Sequence, residues 1–171
     1  MITDQFIEEL NKTINDDGRK LITNFFIIFS RFECALKSSN FKQMDEKNNK
    51  VSANWEQFIS SIKSDFNKNK CDSLKEAVTY IIENPPKMQV FEDELLGWKD
   101  RRFQQNCHEI NKLDISIRDI RNNLFHGGKF NGNYQKDVTR NIDLIKSAII
   151  ILNEWLSLDE SVKNNFLQPI E

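Results

Sequence analysis

Apolar residues recur at intervals of three and four over most of this chain, the spacing that places them on one face of an α-helix. The row is clearest at Ile110, Leu113, Ile117, Ile120 and Leu124. The next long segment has a similar row at Val138, Ile142, Ile145, Ile149, Leu152 and Leu156. No segment shows a convincing strand pattern. The sequence therefore predicts helices at 2–14, 19–38, 53–66, 73–83, 104–125, 136–157 and 159–167.

The arrangement of these helices follows from their apolar faces and from the links between them. The helix over 19–38 carries two adjacent apolar rows, so we expect it near the centre of the core. The last two long helices are joined by a short link at 126–135, which predicts that they are antiparallel neighbours. A length of 171 residues is typical of one domain, so we predict a single domain that covers residues 1–171. The predicted fold class is all-α, an antiparallel, up-and-down helical bundle of four to five core helices with short accessory helices.

Residues that disfavour helices mark the predicted ends. Asp16-Asp17-Gly18 separates the first two helices, Ser52 is the expected N-cap of the third, and Pro85-Pro86 stops the fourth. Gly127-Gly128 is expected to end the helix over 104–125, because glycine adopts the left-handed conformation at little cost. Residues 39–51 are predicted to form a polar loop. Residues 87–103 are predicted to be extended, with one helical turn near 92–96.

The charge pattern points to a local rather than a global basic surface. The whole chain has a net charge of −2, which does not suit a protein held to nucleic acid by charge alone. The stretch 118–140 nevertheless has a net charge of +3, from Arg118, Arg121, Lys129, Lys136 and Arg140 against Asp119 and Asp137. Any contact with nucleic acid is therefore expected there.

Cysteine usage and hydropathy indicate the compartment. Cys34, Cys71 and Cys107 are far apart in the sequence and show no metal-binding spacing, so we expect reduced, buried thiols. The first ten residues lack the basic and apolar regions of a signal peptide. The apolar segment 21–36 is too short and too polar to span a bilayer. These features predict a soluble, cytoplasmic protein with no membrane partner.

One short segment combines groups that can act on a phosphodiester: Arg121-Asn122-Asn123-Leu124-Phe125-His126-Gly127-Gly128. Arginine is a permanent cation with a planar fork that fits phosphate oxygens, and histidine exchanges a proton near neutral pH. Asn122 and His126 are four residues apart and are neighbours on a helix. The two glycines would let the last turn unwind, so that His126 can approach Arg121. Removal of the proton from an RNA 2′-hydroxyl would let that oxygen attack the adjacent phosphorus without a metal.

The segment Arg121-Asn-Asn-Leu-Phe-His126 resembles the Arg-x4-6-His motif of the HEPN superfamily, whose members are small helical bundles. Further similarity to a bacterial HEPN family covers most of the chain, at 29–37, Trp55, 85–87, 98–99 and 123–130. The resemblance implies a metal-independent endoribonuclease that leaves 2′,3′-cyclic phosphate ends and needs no cofactor. It also implies a homodimer with a composite active site and a toxin or anti-phage role, with an antitoxin or defence-system partner.

By position, the resemblance makes Arg121 and His126 the catalytic pair and Asn122 the polar helper. The expected supporting or RNA-binding residues are Asn122, Asn123, Arg118, Lys129 and Glu33, and no metal ligand is expected. The chain departs from some HEPN toxins at Gly128, where those toxins have a tyrosine that a partner nucleotidyltransferase modifies. That form of antitoxin control is therefore not expected here.

Several residues have structural alternatives. Arg121 could pair with a carboxylate and His126 could be a helix C-terminal cation, and the domain could bind RNA or a protein without cleaving. Glu33 is on an apolar row, where it could pair with Arg121 or Arg118 or reach water. Arg31 and His108 are expected on the surface. The tryptophans are expected in the core, although Trp98 could stack on a base.

Overall fold

The computed structural model describes residues 1–92, 94–125 and 138–169, and the chain is mostly helical. The helices in the described residues are α1 (Ile2–Thr13), α2 (Asp16–Ser38), α3 (Trp55–Ile62), α4 (Asp72–Glu83), α5 (Glu109–Phe125), α6 (Val138–Ser157) and α7 (Glu160–Phe166). The strands are β1 (Lys42–Asp45), β2 (Lys50–Ala53), β3 (Met88–Glu92) and β4 (Leu95–Lys99). The predicted helical character is confirmed.

Two antiparallel hairpins replace segments that we predicted without strands. Strands β1 and β2 pair with Met44 opposite Val51, within the predicted loop over 39–51. Strands β3 and β4 pair within 87–103, so the extended chain predicted there is confirmed but the helical turn near 92–96 is wrong. The strands have only four or five residues, and β1 and most of β2 are exposed. Exposed strands need no alternation of apolar residues, which removes the usual sequence signal.

The core confirms one predicted helical row and shifts another. All five apolar residues of the α5 row are buried. In α6, Ile145, Leu152 and Leu156 are buried as predicted, whereas Val138, Ile142 and Ile149 are only half-buried. The buried face of α6 instead centres on Leu144, Ala148, Ile151 and Trp155. Helix α6 packs against α2 and α4 as well as α5, so more than one row of its side chains meets a neighbour.

The helix starts differ from the prediction because asparagine and histidine side chains provide the caps. The Asn15 side chain accepts a hydrogen bond from the Gly18 amide at 2.9 Å, so Asp16-Asp17-Gly18 begins α2 rather than separating it from α1. Asn54 caps α3, and Ser52 belongs to β2. Helix α5 begins at Glu109 instead of 104, where His108 Nδ1 accepts from the Ile110 amide at 3.4 Å.

The burial of the cysteines and the contacts of Arg31 also differ from the prediction. Cys34 and Cys71 are exposed and Cys107 is half-buried, because Cys34 is on the outer face of α2 and Cys71 precedes α4. Arg31 is not only a surface cation, since its guanidinium donates to the carbonyls of Phe166 and Gln168 at 2.9 and 2.6 Å. His108 is exposed as predicted. No helix of the described residues is long and apolar enough to cross a membrane.

Candidate functional site

A cleft of about 520 Å³ lies beside the C-terminal half of α5. It is bordered by α2, β2, α3 and the residues after β4, and is lined by Phe29, Glu33, Ser52, Ala53, Trp55, Arg101, Ile115, Arg118, Asp119, Arg121 and Asn122. Its volume is within the range of about 300–1,000 Å³ that is typical of small-ligand sites. We call this site the α5 cleft.

Arg121 is half-buried in the α5 cleft, and two contacts orient its guanidinium. Its Nη1 donates a hydrogen bond to Asn122 Oδ1 at 3.0 Å. Its Cζ is 5.9 Å from the centroid of the Phe29 ring, a distance at which a cation is attracted to the aromatic face. Asn122 is exposed, so the pair presents a cation and an amide at the edge of the cleft.

Aromatic stacking forms one wall of the α5 cleft. The Trp55 ring is stacked against both Phe29 and Phe32, with centroid distances of 5.3 and 5.2 Å. Trp55 Nε1 donates to Glu33 Oε1 at 3.2 Å. Glu33, which we expected to pair with an arginine or reach water, therefore has an indole N–H as its hydrogen-bond donor.

Two ion pairs hold the other arginines of the cleft. Arg118 Nη2 is 3.1 Å from Asp114 Oδ2, one helical turn away. Arg101 donates to Asp119 from Nε at 2.7 Å and also contacts the same carboxylate oxygen through Nη2 at 2.5 Å. The Arg118 side chain is still 44% exposed, so its pairing leaves surface that a ligand could contact.

Burial controls the acidity of both aspartates of α5. It raises the pKa of Asp114 to about 6, while the positive charge and hydrogen bond of Arg118 act in the opposite direction. Burial also raises the pKa of Asp119, against the opposing effect of Arg101. Asp114 Oδ1 is buried and has no hydrogen-bond partner within the described residues. The carboxylate of Asp114 is consequently costly to ionise.

The structure brings together four of the residues predicted from the sequence: Arg118, Arg121, Asn122 and Glu33 all line the α5 cleft. Asn123 does not line it. It is buried, and its side-chain amide donates to the Lys87 carbonyl at 2.8 Å, which ties α5 to the segment before β3. His126, Gly127-Gly128 and Lys129 lie outside the described residues.

The predicted basic stretch is not one continuous surface in the described residues. Arg140 donates to the carbonyls of Asn84 and Pro85 at 3.3 and 2.7 Å, so it anchors the end of α4 to α6. Lys136 lies outside the described residues. The arginines that line the α5 cleft are Arg101, Arg118 and Arg121.

Sequence reasoning missed Arg101 and the part of Trp55 that faces the α5 cleft. Arg101 follows a hairpin that we did not predict, and no spacing relates it to α5. Trp55 is in the core as expected, but its indole N–H also serves the cleft. Trp98 is half-buried in β4 and does not line the cleft.

Comparison with known proteins adds no family to this description. No protein-family model matches the chain, and no match is found among curated proteins or among solved structures. Within the described residues, no three His, Cys, Asp or Glu side chains form a group that could hold a metal ion.

Proposed function

We propose that this chain is a metal-independent endoribonuclease of the HEPN type, with Arg121 and His126 as its catalytic residues. The observation that supports this proposal is the position of Arg121. Its guanidinium lines a cleft, next to an exposed amide and a half-exposed arginine, at the end of α5 where the motif continues. A cation and hydrogen-bond donors in a cleft suit a phosphodiester.

In the proposed reaction, His126 removes the proton from the 2′-hydroxyl of RNA. The 2′-oxygen attacks the adjacent phosphorus, the bond from phosphorus to the 5′-oxygen breaks, and that oxygen takes up a proton. The products are a 2′,3′-cyclic phosphate and a 5′-hydroxyl end. Arg121 stabilises the additional negative charge of the transition state, and Asn122 orients the guanidinium to which it is hydrogen-bonded.

The proposal includes the context that the HEPN resemblance implies. The helices would form an up-and-down bundle of four to five core helices, and two chains would associate so that both Arg121–His126 sets face one cleft. A cytoplasmic toxin or anti-phage role would require an antitoxin or a defence-system partner to restrain it. RNA would be the substrate.

Matched variants test the reaction. His126→Ala and Arg121→Ala should each lower RNA cleavage by about 10²–10⁴-fold, because each removes a proton carrier or a transition-state contact. The controls are His108→Asn and Arg102→Ala, which change an exposed histidine and an exposed arginine outside the α5 cleft. Circular dichroism should show that all four variants keep their helical content.

The assay uses single-stranded RNA in the presence of EDTA, with analysis of the product ends. Cyclic phosphate ends that require both Arg121 and His126 would support the proposal. An unchanged rate in either alanine variant would contradict it. Binding of RNA by the wild-type chain without any cleavage would instead identify a non-catalytic RNA-binding module.

A further inference from the structure

The two carboxylates that line the α5 cleft differ in what they contact. Asp119 is engaged by Arg101 through two guanidinium nitrogens. Glu33 makes no ion pair within the described part of the chain, and its hydrogen bond uses one oxygen, Oε1, to accept from a neutral indole. An ionised carboxylate has about two acceptor sites on each oxygen, so Oε2 and the second site of Oε1 remain acceptors that a ligand in the cleft could use.

The Glu33 carboxylate is held by a rigid neighbour. Trp55 is buried and stacked against both Phe29 and Phe32, so its N–H has a fixed direction. The hydrogen bond at 3.2 Å transfers that constraint to a carboxylate that is half-buried in the wall of the cleft. Less side-chain freedom is lost when a fixed acceptor binds a ligand, and its fixed direction favours ligands whose donors match it.

We propose that Glu33 is a specificity residue that binds the Watson–Crick edge of a guanine base in single-stranded RNA. The inference rests on the proposed function, which supplies RNA as the ligand. A carboxylate only accepts hydrogen bonds. Guanine presents two adjacent donors on that edge, N1–H and the N2 amino group. Adenine, cytosine and uracil each place an acceptor next to their donor, and that acceptor would face the negative charge of Glu33.

The neighbouring residues of the cleft suit the rest of such a nucleotide. Arg121 and Asn122 line the same cleft and offer a cation and an amide to the phosphate. Single-stranded RNA is commonly recognised through exposed base edges of this kind. Trp55 acts as a positioning residue, because its ring is stacked against Phe29 and Phe32 and its N–H donates to Glu33.

Binding can be tested without cleavage in the full-length His126→Ala variant. The probes are short single-stranded RNAs that differ at one position, which is guanosine, inosine, adenosine or cytidine. Inosine keeps N1–H but lacks the N2 amino group. We expect guanosine to bind about tenfold more tightly than inosine, as a bidentate contact would give, and the other two to bind more weakly still.

Substitutions of Glu33 and Trp55 should change the preference for guanosine. Glu33→Gln places a donor where the carboxylate had an acceptor, so it should abolish the preference for guanosine. Trp55→Phe keeps an aromatic ring but removes the N–H, and it should reduce the preference. Glu76→Gln, the same change on the exposed face of α4, should leave it intact. Equal affinity for all four probes, or a guanosine preference that persists in Glu33→Gln, would overturn the inference.

Cleavage by the His126-containing chain separates this inference from the proposed nuclease. Cleavage next to guanosine that becomes unselective in Glu33→Gln supports both. Cleavage that falls equally at all bases in the wild-type chain, or that remains selective for guanosine in Glu33→Gln, overturns the specificity role and leaves the nuclease in place. Guanosine-selective binding without any cleavage supports the role of Glu33 and contradicts the nuclease.

Discussion

At the scale of single residues, Asp114 has the most unfavourable environment next to the α5 cleft. Its side chain is buried, only Oδ2 has an ion-pair partner, and Oδ1 has none within the described residues. Burial is the largest effect and raises its pKa to about 6, with smaller contributions in the same direction from Asp119 and Glu56. Arg118 opposes the shift. The folded chain therefore binds a proton at Asp114 more tightly than the unfolded chain does.

This environment predicts a specific dependence of stability on pH. Since the folded-state pKa of Asp114 is above its ordinary value of 3.8, its contribution to stability is largest below about pH 4 and is lost as the pH rises through 6. Asp114→Asn carries no titrating group. Its free energy of unfolding should therefore improve relative to wild type between pH 4 and pH 7, by at most about 3 kcal/mol. Urea titrations at several pH values would measure the difference.

A substitution of Arg118 provides a second test of this pH dependence. Because the charge of Arg118 lowers the pKa of Asp114, Arg118→Gln should raise that pKa further and extend the loss of stability to higher pH. A difference between Asp114→Asn and wild type that stays constant with pH would show that Asp114 does not titrate in this range.

The sequence predicted some of the residues that line the α5 cleft because they belong to one helix. Arg118, Arg121 and Asn122 are close in sequence, so helix geometry alone places them near one another. Glu33 was singled out because it interrupts an apolar row. Its contact with Trp55 spans 22 residues and depends on how α2 meets α3, so spacing could not reveal it. Asn123 shows the reverse case, since a residue within the motif is used to hold the segment before β3.

At the scale of elements, periodicity identified the core helices because their burial is one-sided. It failed for the hairpins, whose strands are short and mostly exposed. It also misplaced the start of α2, where an aspartate pair followed by glycine reads as a break. There Asn15 satisfies the Gly18 amide, and both aspartates are in the first turn, where negative charge is favourable.

At Gly18 we expect alanine to lower the stability of the fold, which is opposite to its usual effect in a helix. Replacing glycine by alanine within a helix normally stabilises a protein. A Cβ at Gly18, however, would lie 2.6 Å from Ile14 Cγ2 and 3.2 Å from Ile142 Cδ1. Ile14 is buried, so Gly18→Ala should destabilise the fold by about 1–3 kcal/mol through overpacking. Thermal and urea unfolding would measure this loss.

A second alanine substitution in the same helix provides the control for Gly18→Ala. Asn24 is exposed in α2, so Asn24→Ala should leave stability unchanged or raise it slightly, because alanine has the higher helix propensity. If Gly18→Ala were as stable as Asn24→Ala, the close approach of Ile14 and Ile142 to Gly18 would not constrain the fold.

At the scale of the whole molecule, arginine side chains connect elements that are distant in the sequence. Arg31 binds carbonyls 135 and 137 residues away, and Arg140 binds carbonyls 56 and 55 residues away. A sequence shows such residues only as surface cations, because their partners are backbone groups with no side-chain signature. The sequence therefore predicts Arg140 as part of the basic patch, whereas the structure shows it bonded to the end of α4.

The proposed reaction also makes a prediction about association. One chain supplies one Arg121 and one His126, whereas proton removal from the 2′-hydroxyl and proton delivery to the 5′-oxygen are easier with two histidines. We therefore expect an active species of twice the 20.2 kDa chain mass by sedimentation velocity. Mixing Arg121→Ala with His126→Ala chains should restore part of the cleavage that neither has alone, because the mixed dimer again contains one arginine and one histidine. Mixing His126→Ala with the double variant should restore none, since no His126 is then present. A cleaving species with the mass of one chain would show that each chain works on its own.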